Sequence, residues 1–470
     1  MDNLIGRQKI FTNYNKVNDK NIVEILNNAY PLHELNIAEE DFLYNYLKGV
    51  QPILKREKKV RKEINNKIVE NHALSIVEFK TGYLLEKPIQ YVATSNSVDD
   101  VSIAKFNGFM NIESKDSKDM RIATDCAICG LGYRLIVPNK SYSEKVEDES
   151  PFRIHTIKPQ NAFIIYSSDI GEEALIGVVI YKYKDADTQQ QKIRLQAYTK
   201  DFFYTMNFGE TSFTKKANNY GVIPLIEYCY NEERMGAFEP VIPLLDAINM
   251  VQSNRVDGVE QFIQALLVFK NVDIKKEQLT ELLELGAIKI KDNGEIEANV
   301  EYLTQELNQT QVQTLKDDML RVVYKIVGMP IQNSGNGGDN GLAVVYKDGW
   351  TEVESKTQKT ELIFKESERY FLKLALQYFR TLTLNKYKLS LIDIEIKFTR
   401  RNFENAWSKA QALDLLLKNP HIHPRLAFIY SGISADPEAD YNESEKYYQE
   451  QLEKQQKQAP KGDDPNGLQN

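Results

Sequence analysis

Residues 308–380 constrain the chain most, because a helical stretch there runs into a glycine-rich polar loop and then into a second, longer helical stretch. In QTQVQTLKDDMLRVVYKIV, Val312, Leu315, Met319, Val322 and Ile326 recur at alternating steps of three and four, which lines one helix face. Gly328, Met329 and Pro330 end that helix: Gly328 suits a left-handed cap, and Pro330 biases Met329 away from helical geometry. The polar loop QNSGNGGDNG follows, and GLAVVYKDGWTEVESKTQKTELIFKESERYFLKLALQYFR then predicts a long helix. Any fold for this chain must accommodate a loop without apolar anchors between two long helices.

The remaining pattern predicts an α+β protein. Residues 1–75 predict short helices (NIVEILNNAY and EEDFLYNYLKG, divided at Pro31), and IVENHALSIVEFKTGYLL predicts another with Ile68, His72, Ile76 and Phe79 on one face. From 151 to 230, runs rich in Ile, Val, Tyr and Phe predict an antiparallel sheet. Residues 236–271 return to helical spacing through Val241, Leu244, Ile248, Val251, Val259, Phe262 and Leu266. An acidic insert at 272–307 predicts a helix over 275–285 and two strands about Asp292-Asn293-Gly294. LSLIDIEIKF alternates strictly, with Ile392, Ile394, Ile396 and Phe398 on one face, which predicts a strand. Residues 403–430 look helical with breaks at Pro420 and Pro424, and a helix over 442–458 precedes a polar tail.

Several chemistries are excluded or weakened. A net charge of -8 argues against a protein that coats nucleic acid. The dense basic run Lys55, Arg56, Lys58, Lys59, Arg61 and Lys62 is best read as a solvated loop rather than a nucleic-acid contact. Three cysteines imply no disulfide framework. Cys126 and Cys129 form a C-x-x-C at the C-terminal end of a predicted helix, where the dipole does not lower a thiol pKa, so a structural role is expected. His72 has no second ligand at helical spacing, and His421 and His423 lack further ligands, so no metal is expected. The loop lacks the lysine of a phosphate-binding P-loop, and Asn340 breaks a G-x-G-x-x-G that would begin at Gly335. No catalytic constellation and no cofactor site emerge. The longest apolar run is interrupted by Arg255, Asp257 and Glu260, short of the ~18 residues a membrane span needs. MDNLIGRQKI has no signal-peptide core, so a soluble cytosolic protein is the starting expectation.

Four segments in order resemble the portal proteins of tailed bacteriophages, specifically the type found in long-tailed phages of Gram-positive hosts. They are NNKIVENHALSIVEFKTGYLLEKPIQY, FEPVIPLLDAINMVQSNRVDGVEQFIQALLVFKN, GLAVVYKDGWTEVESK and IEIKFTRRNFENAWSKAQAL. Two departures stand out: Glu86 replaces a common glycine, and FTRRNFEN replaces a usual F-x-R-N-x-P. The resemblance implies a dodecameric ring at one capsid vertex, through which double-stranded DNA is packaged and ejected. It implies a wing (1–235), a stem helix (236–271), a clip (272–307), a second stem helix (308–328) and a tunnel loop (329–341). A further wing helix and strand (342–400), a crown (401–458) and a disordered tail (459–470) complete it. Implied partners are the terminase motor, a head-completion adaptor, and the major capsid and scaffolding proteins. The implied location is the virion, after assembly in the host cytoplasm, with no membrane.

Within that frame Gln332, Asn333, Ser334, Gly335, Asn336, Gly337, Gly338, Asp339 and Asn340 would face DNA. Polar uncharged groups there avoid both base readout and a salt-sensitive grip on phosphate. The glycines let each copy adapt to a duplex of different symmetry. Lys316, Arg321 and Lys325 recur near one face of the second stem helix beside Asp317 and Asp318. They would form sparse positive rings or, as the favoured reading, pair with acids of a neighbouring subunit. Two other classes stay open: another virion structural protein such as an adaptor, and a nucleotide- or thiol-dependent enzyme.

Overall fold

The computed structural model describes residues 6–94, 100–143, 145–146, 148–186, 189–263, 266–270, 299–303, 309–331, 349–400, 406–433 and 437–458. The tunnel-loop candidates 332–340, the helix expected over 275–285, the turn at 292–294 and the tail 459–470 lie outside the described residues. The fold is α+β, as the alternation of sequence periods predicts.

Strand β1 (Ile10–Thr12) is followed by α1 (Ile22–Leu47). The sequence predicts two short helices divided at Pro31, but α1 is continuous and carries Pro31 inside it. Proline forgoes one backbone hydrogen bond. Burial of Ile22, Ile25, Leu26 and Tyr30 before it, and of Leu43 and Tyr46 after it, offsets that loss. Helix α2 (His72–Leu84) buries Ala73, Ile76, Val77, Lys80, Thr81 and Leu84. The inward face is therefore rotated from the one expected through Ile68 and Phe79.

Short strand β2 (Gln90–Ala93), α3 (Asp100–Ile112) and α4 (Lys115–Cys129) follow. Helix α4 stops at Gly130, whose φ of +86° is left-handed and whose Cα lies where an added Cβ would meet the Arg234 carbonyl oxygen at 2.1 Å. Only glycine allows the chain to turn there directly into β3 (Leu131–Pro138).

The β region divides into two sheets, where the sequence suggests one. β4 (Phe152–Ile157), β3 and β10 (Leu225–Cys229) form an antiparallel three-stranded sheet in the order β10-β3-β4. The larger sheet contains β5 (Ala162–Ser167), β6 (Ala174–Lys184), β7 (Gln191–Tyr198), β8 (Phe202–Asn207) and β9 (Phe213–Ala217). These five are antiparallel neighbours, and β1 adds in parallel beside β5. Leu131, Tyr133, Ile164, Val179 and Leu225 belong to a core cluster shared by strands of both sheets, while α1 covers the larger sheet through Phe163, Ile165, Val178 and Leu195.

The helix expected over 236–271 is shorter. Helix α5 (Ile242–Ile263) ends, and Leu266–Lys270 forms β11, paired antiparallel with β12 (Asn299–Leu303) in the register Leu266↔Leu303. LLVFK continues the apolar spacing of a helix, but a short apolar run fits a strand equally well once a pairing partner exists. β12 leads towards α6 (Gln309–Val327), which packs on α5.

Helix α7 (Trp350–Leu382) buries Phe364, Phe371, Leu372, Leu374, Ala375, Leu376, Tyr378 and Phe379 in the largest core cluster, together with residues of α3, α4, β4 and β10. Strand β13 (Ile394–Lys397) then pairs antiparallel with β2. Ile394 and Ile396 are buried as their alternation predicts, whereas Ile392 precedes the strand in a 3-10 turn and is exposed. The C-terminal helices α8 (Ala406–Leu417), α9 (Pro424–Ser431) and α10 (Pro437–Gln458) follow the expected breaks, α10 starting a few residues earlier than predicted. Among the described residues no helix is long and apolar enough to cross a membrane.

Candidate functional site

The site begins at the helix pair α5–α6. Helix α6 packs inward through Val323 and Val327, with Met319, Leu320 and Tyr324 half-buried beside them. Leu315, Val322 and Ile326, assigned by spacing to one packed face, are exposed. Apolar residues occupy more than one arc of this helix, so period alone does not select the arc that packs. Arg255 of α5 donates to Gln313 of α6 at 2.6 Å. Tyr46 of α1 donates to Asp246 of α5 at 2.9 Å, joining the pair to the rest of the chain.

The five charged residues singled out on α6 have different surroundings. Lys316 reaches Glu70 of its own chain at 2.6 Å. Burial works to raise the Glu70 carboxyl, but hydrogen bonds from Lys316 and His72 together hold it below its ordinary range. His72, 3.0 Å from Glu70, is thus a hydrogen-bond partner of that carboxylate. Asp317 accepts from Gln313 at 2.7 Å. Asp318 and Arg321 lie 3.6 Å apart, with 63% and 61% of their side chains exposed. Lys325 is exposed and forms no ion pair with a described residue. These last four leave charge on the outer surface of α6.

The basic run is half tied down. Arg56 and Lys58 both reach Asp257 of α5, at 3.0 and 2.6 Å. Asp257 also accepts from the Asn66 backbone at 2.8 Å. Burial opposes ionisation of Asp257, but Lys58 and Asn66 outweigh it and depress its pKa. Lys55, Lys59 and Lys62 project into solvent, as a solvated loop predicts.

Helix α6 ends as its sequence predicts. Gly328 has a φ of +67°, and the Met329 N–H donates to the Tyr324 carbonyl at 2.8 Å, closing a Schellman cap. Two lysines that sequence reasoning missed reach the same place, Lys80 of α2 and Lys356 of α7. The start of α7 also rests on α2, with Trp350 5.9 Å from Tyr83 and 6.2 Å from Phe79 between ring centres. Tyr83 donates to Glu354 at 2.8 Å, and Arg400 bridges Glu354 and Glu361 at 2.6 and 2.5 Å. Both helices flanking residues 332–348 are thereby attached to α2.

Sequence reasoning also missed a buried charge network behind this junction. Lys115 of α4 lies 2.6 Å from Asp119 and 2.7 Å from Glu368 of α7, and Arg134 of β3 pairs with Asp119 and, at 3.2 Å, with Glu368. Tyr91 and Tyr228 donate to the same Glu368 carboxylate. Burial alone would raise the Glu368 carboxyl, but Lys115 and Arg134 reverse that and hold it well below its ordinary range. At Asp119 burial prevails over the same two cations and pushes the pKa up. One signal was available: Glu368 interrupts the apolar stripe Phe364, Phe371, Ala375 on α7. Lys80 likewise sits between Ile76 and Leu84 on the packed face of α2.

The remaining chemical candidates have structural surroundings. Cys126 and Cys129 are buried, and burial pushes both thiols well above their ordinary pKa, the reverse of a reactive thiolate. Both lie in the last turn of α4, as expected. His423 caps α9 by accepting from the Arg425 N–H at 3.2 Å. Among the described residues no group of three His, Cys, Asp or Glu side chains is placed to hold a metal ion.

A family profile described as phage portal protein, SPP1 Gp6-like, matches residues 31–457. The portal protein of Bacillus phage SPP1 is 19% identical over 359 residues, which is 72% of this chain and 67% of that protein. Two solved structures align weakly with this chain. A chain from the neck of an empty GTA particle computed with C6 symmetry aligns with a TM-score of 0.42 at 10% identity, over 77% of this chain and 90% of that one. A chain from the neck of the native GTA particle computed with C12 symmetry aligns with a TM-score of 0.43 at 8% identity, over 77% and 89%. With a profile match across most of its length, the chain belongs to the phage portal protein family, SPP1 Gp6-like, and has a portal role in the capsid.

Proposed function

We propose that copies of this chain close into a dodecameric ring at one capsid vertex, and that double-stranded DNA is packaged and ejected through its axis. Helices α5 and α6 form the stem. Residues 272–307, with nine acidic residues against four lysines, form the clip, which meets the terminase motor first and a head-completion adaptor later. Residues 1–235 with α7 and β13 form the wing towards the capsid and scaffolding proteins, and residues 401–458 form the crown facing the interior. The chain acts as a conduit and carries no enzymatic step. It assembles in the host cytoplasm before joining the virion.

What carries this reading is the family match across residues 31–457 together with the packed helix pair that precedes a charge-poor, glycine-rich segment. A conduit must pass any sequence, so it avoids base edges and avoids neutralising many phosphates. Gln332, Asn333, Ser334, Asn336 and Asn340 provide weak, adaptable contacts, and Asp339 repels phosphate. The stripe Leu315, Val322 and Ile326, exposed on a single chain, is the surface assigned to the neighbouring stem. Asp318 and Lys325 border it, Arg321 and Asp317 lie further round the exposed side of the helix, and all four supply charged contacts between subunits.

The test combines assembly and packaging. Light scattering and negative-stain images of the purified chain should show a closed ring of large mass; a monomer or dimer would sink the reading. Deleting residues 333–340 should leave the ring intact and reduce packaged or retained DNA several-fold. Normal DNA content in that deletion would remove the role assigned to the loop.

A further inference from the structure

The end of α6 is held more firmly than a helix end requires. The last carbonyls of a helix lack intrahelical partners and carry the negative end of its dipole. A Schellman cap with one glycine is the common solution. This helix has that cap and two ammonium groups besides. Lys80 donates to the Gly328 carbonyl at 2.7 Å, and Lys356 donates to the carbonyls of Lys325 and Ile326 at 2.8 and 3.0 Å. The donors come from α2 and α7, elements far apart in sequence.

We propose that Lys80 and Lys356 are positioning residues that clamp the C-terminus of α6 between α2 and α7 and so set the direction in which the chain leaves the helix pair. The proposal rests on the reading of α5 and α6 as the stem, because only there does the direction of that exit bear on DNA.

Three observations support it. First, Lys80 is 7% exposed among the apolar residues of α2. A lysine with no partner is strongly disfavoured in such a place, so its single carbonyl contact needs a return. Burial, with the Lys356 ammonium next in weight, lowers the Lys80 pKa to about 8. Second, the fit is close. A Cβ on Gly328 would lie 2.5 Å from the Lys356 Cδ, so a side chain there would push the Lys356 arm off its carbonyls, and the positive φ favours glycine besides. Third, Lys80, Leu84, Ile326, Val327, Lys356 and Thr357 border a cavity of about 180 Å³ beside the clamp. Space there lets the helix end shift when the clamp is released, since no packed side chain among the described residues fills it.

The experiment uses the full chain assembled into rings and particles, with Lys80→Met, Lys356→Met, the double variant and Lys80→Arg. Amide hydrogen exchange at Val327–Met329 is read beside exchange in α7, melting of the ring, and the DNA content of particles. Each Met variant is expected to speed exchange at 327–329 by roughly tenfold or more, since Lys80→Met loses one charge-assisted hydrogen bond and Lys356→Met loses two. Exchange in the middle of α7 should stay unchanged, DNA content should fall several-fold in the double variant, and Lys80→Arg should restore both. Lys356 is partly exposed, so its variant folds even if Lys80→Met does not. Unchanged exchange at 327–329 in Lys356→Met overturns the clamp. Faster exchange throughout the chain with a lowered melting point also overturns it, since it marks general support of the fold. Faster local exchange with normal DNA content in the double variant removes the positioning role. Failure of the underlying reading shows separately, as absence of a ring or as normal packaging in the 333–340 deletion.

Discussion

Charged residues do opposite work in the buried core and on the outer face of α6. Lys115, Asp119, Arg134 and Glu368 are 4% exposed or less and satisfy one another. Asp318 and Arg321 keep more than 60% of their side chains in water at a separation of 3.6 Å. In the core, each charge has lost its hydration and depends on its partners, so removing one strands the others. On the helix, water remains the main partner, and the pair contributes little to a single chain. The buried charges therefore hold this fold together, while the surface charges remain available for a second chain.

Glu368→Ala should destabilise the chain by about 3–5 kcal/mol in denaturant titration, because Lys115 and Arg134 lose their shared carboxylate. A change below about 1 kcal/mol would show that the core charges are not interdependent.

Glu40 tests the same principle in reverse. Both of its carboxyl oxygens are buried and have no hydrogen-bond partner among the described residues, and burial, opposed by Arg7, raises its pKa to about 8 from an ordinary 4.5. The folded state thus binds the proton more tightly than the unfolded state. The stability this contributes is complete below about pH 4.5 and is lost as pH rises towards 8. Glu40→Gln should remove that slope and exceed the parent above pH 8 by on the order of 2–3 kcal/mol, after the local relaxation that shrinks such penalties. Parallel pH profiles for the two chains would refute it.

Asp257→Asn should cost about 1–2 kcal/mol at neutral pH, since Arg56 and Lys58 lose their common acceptor at α5. The Asp257 pKa is depressed below its ordinary 3.8. The stability it confers is therefore present above that value and is lost as pH falls through the lower, folded one. The variant should show less acid sensitivity than the parent, measured as the midpoint of acid unfolding. Arg321→Gln should change single-chain stability by less than about 0.5 kcal/mol. It should weaken ring assembly mainly at low salt, read by light scattering across a salt series. If that variant unfolds the chain, the contrast between buried and surface charge fails.

Much of this molecule was legible in advance where local chemistry decides. Gly328 and Pro330 announced the end of α6, and Gly328 does take the left-handed cap. The placement of Cys126 and Cys129 late in a helix announced buried, inert thiols. The alternation at Ile394 and Ile396 announced a half-buried strand. Ordered motifs announced the family, which profile matching over residues 31–457 shows. Legibility failed where a distant partner decides. Pro31 did not break α1, because packing on both sides outweighed one lost hydrogen bond. Leu266–Lys270 became a strand because Asn299–Leu303 was there to pair with it.

Local sequence alone set the left-handed cap at Gly328, the change of period between halves and the family. Those features depend on φ/ψ preferences and on residues within a turn or two of one another. Only tertiary structure decided which arc of α6 packs, that Lys316 pairs with Glu70, and that Lys80 and Lys356 meet at one helix end. Lys80 and Gly328 are 248 positions apart, and no periodicity spans that distance. A buried ammonium is favourable only when the acceptor that satisfies it is brought beside it, and folding alone brings it there.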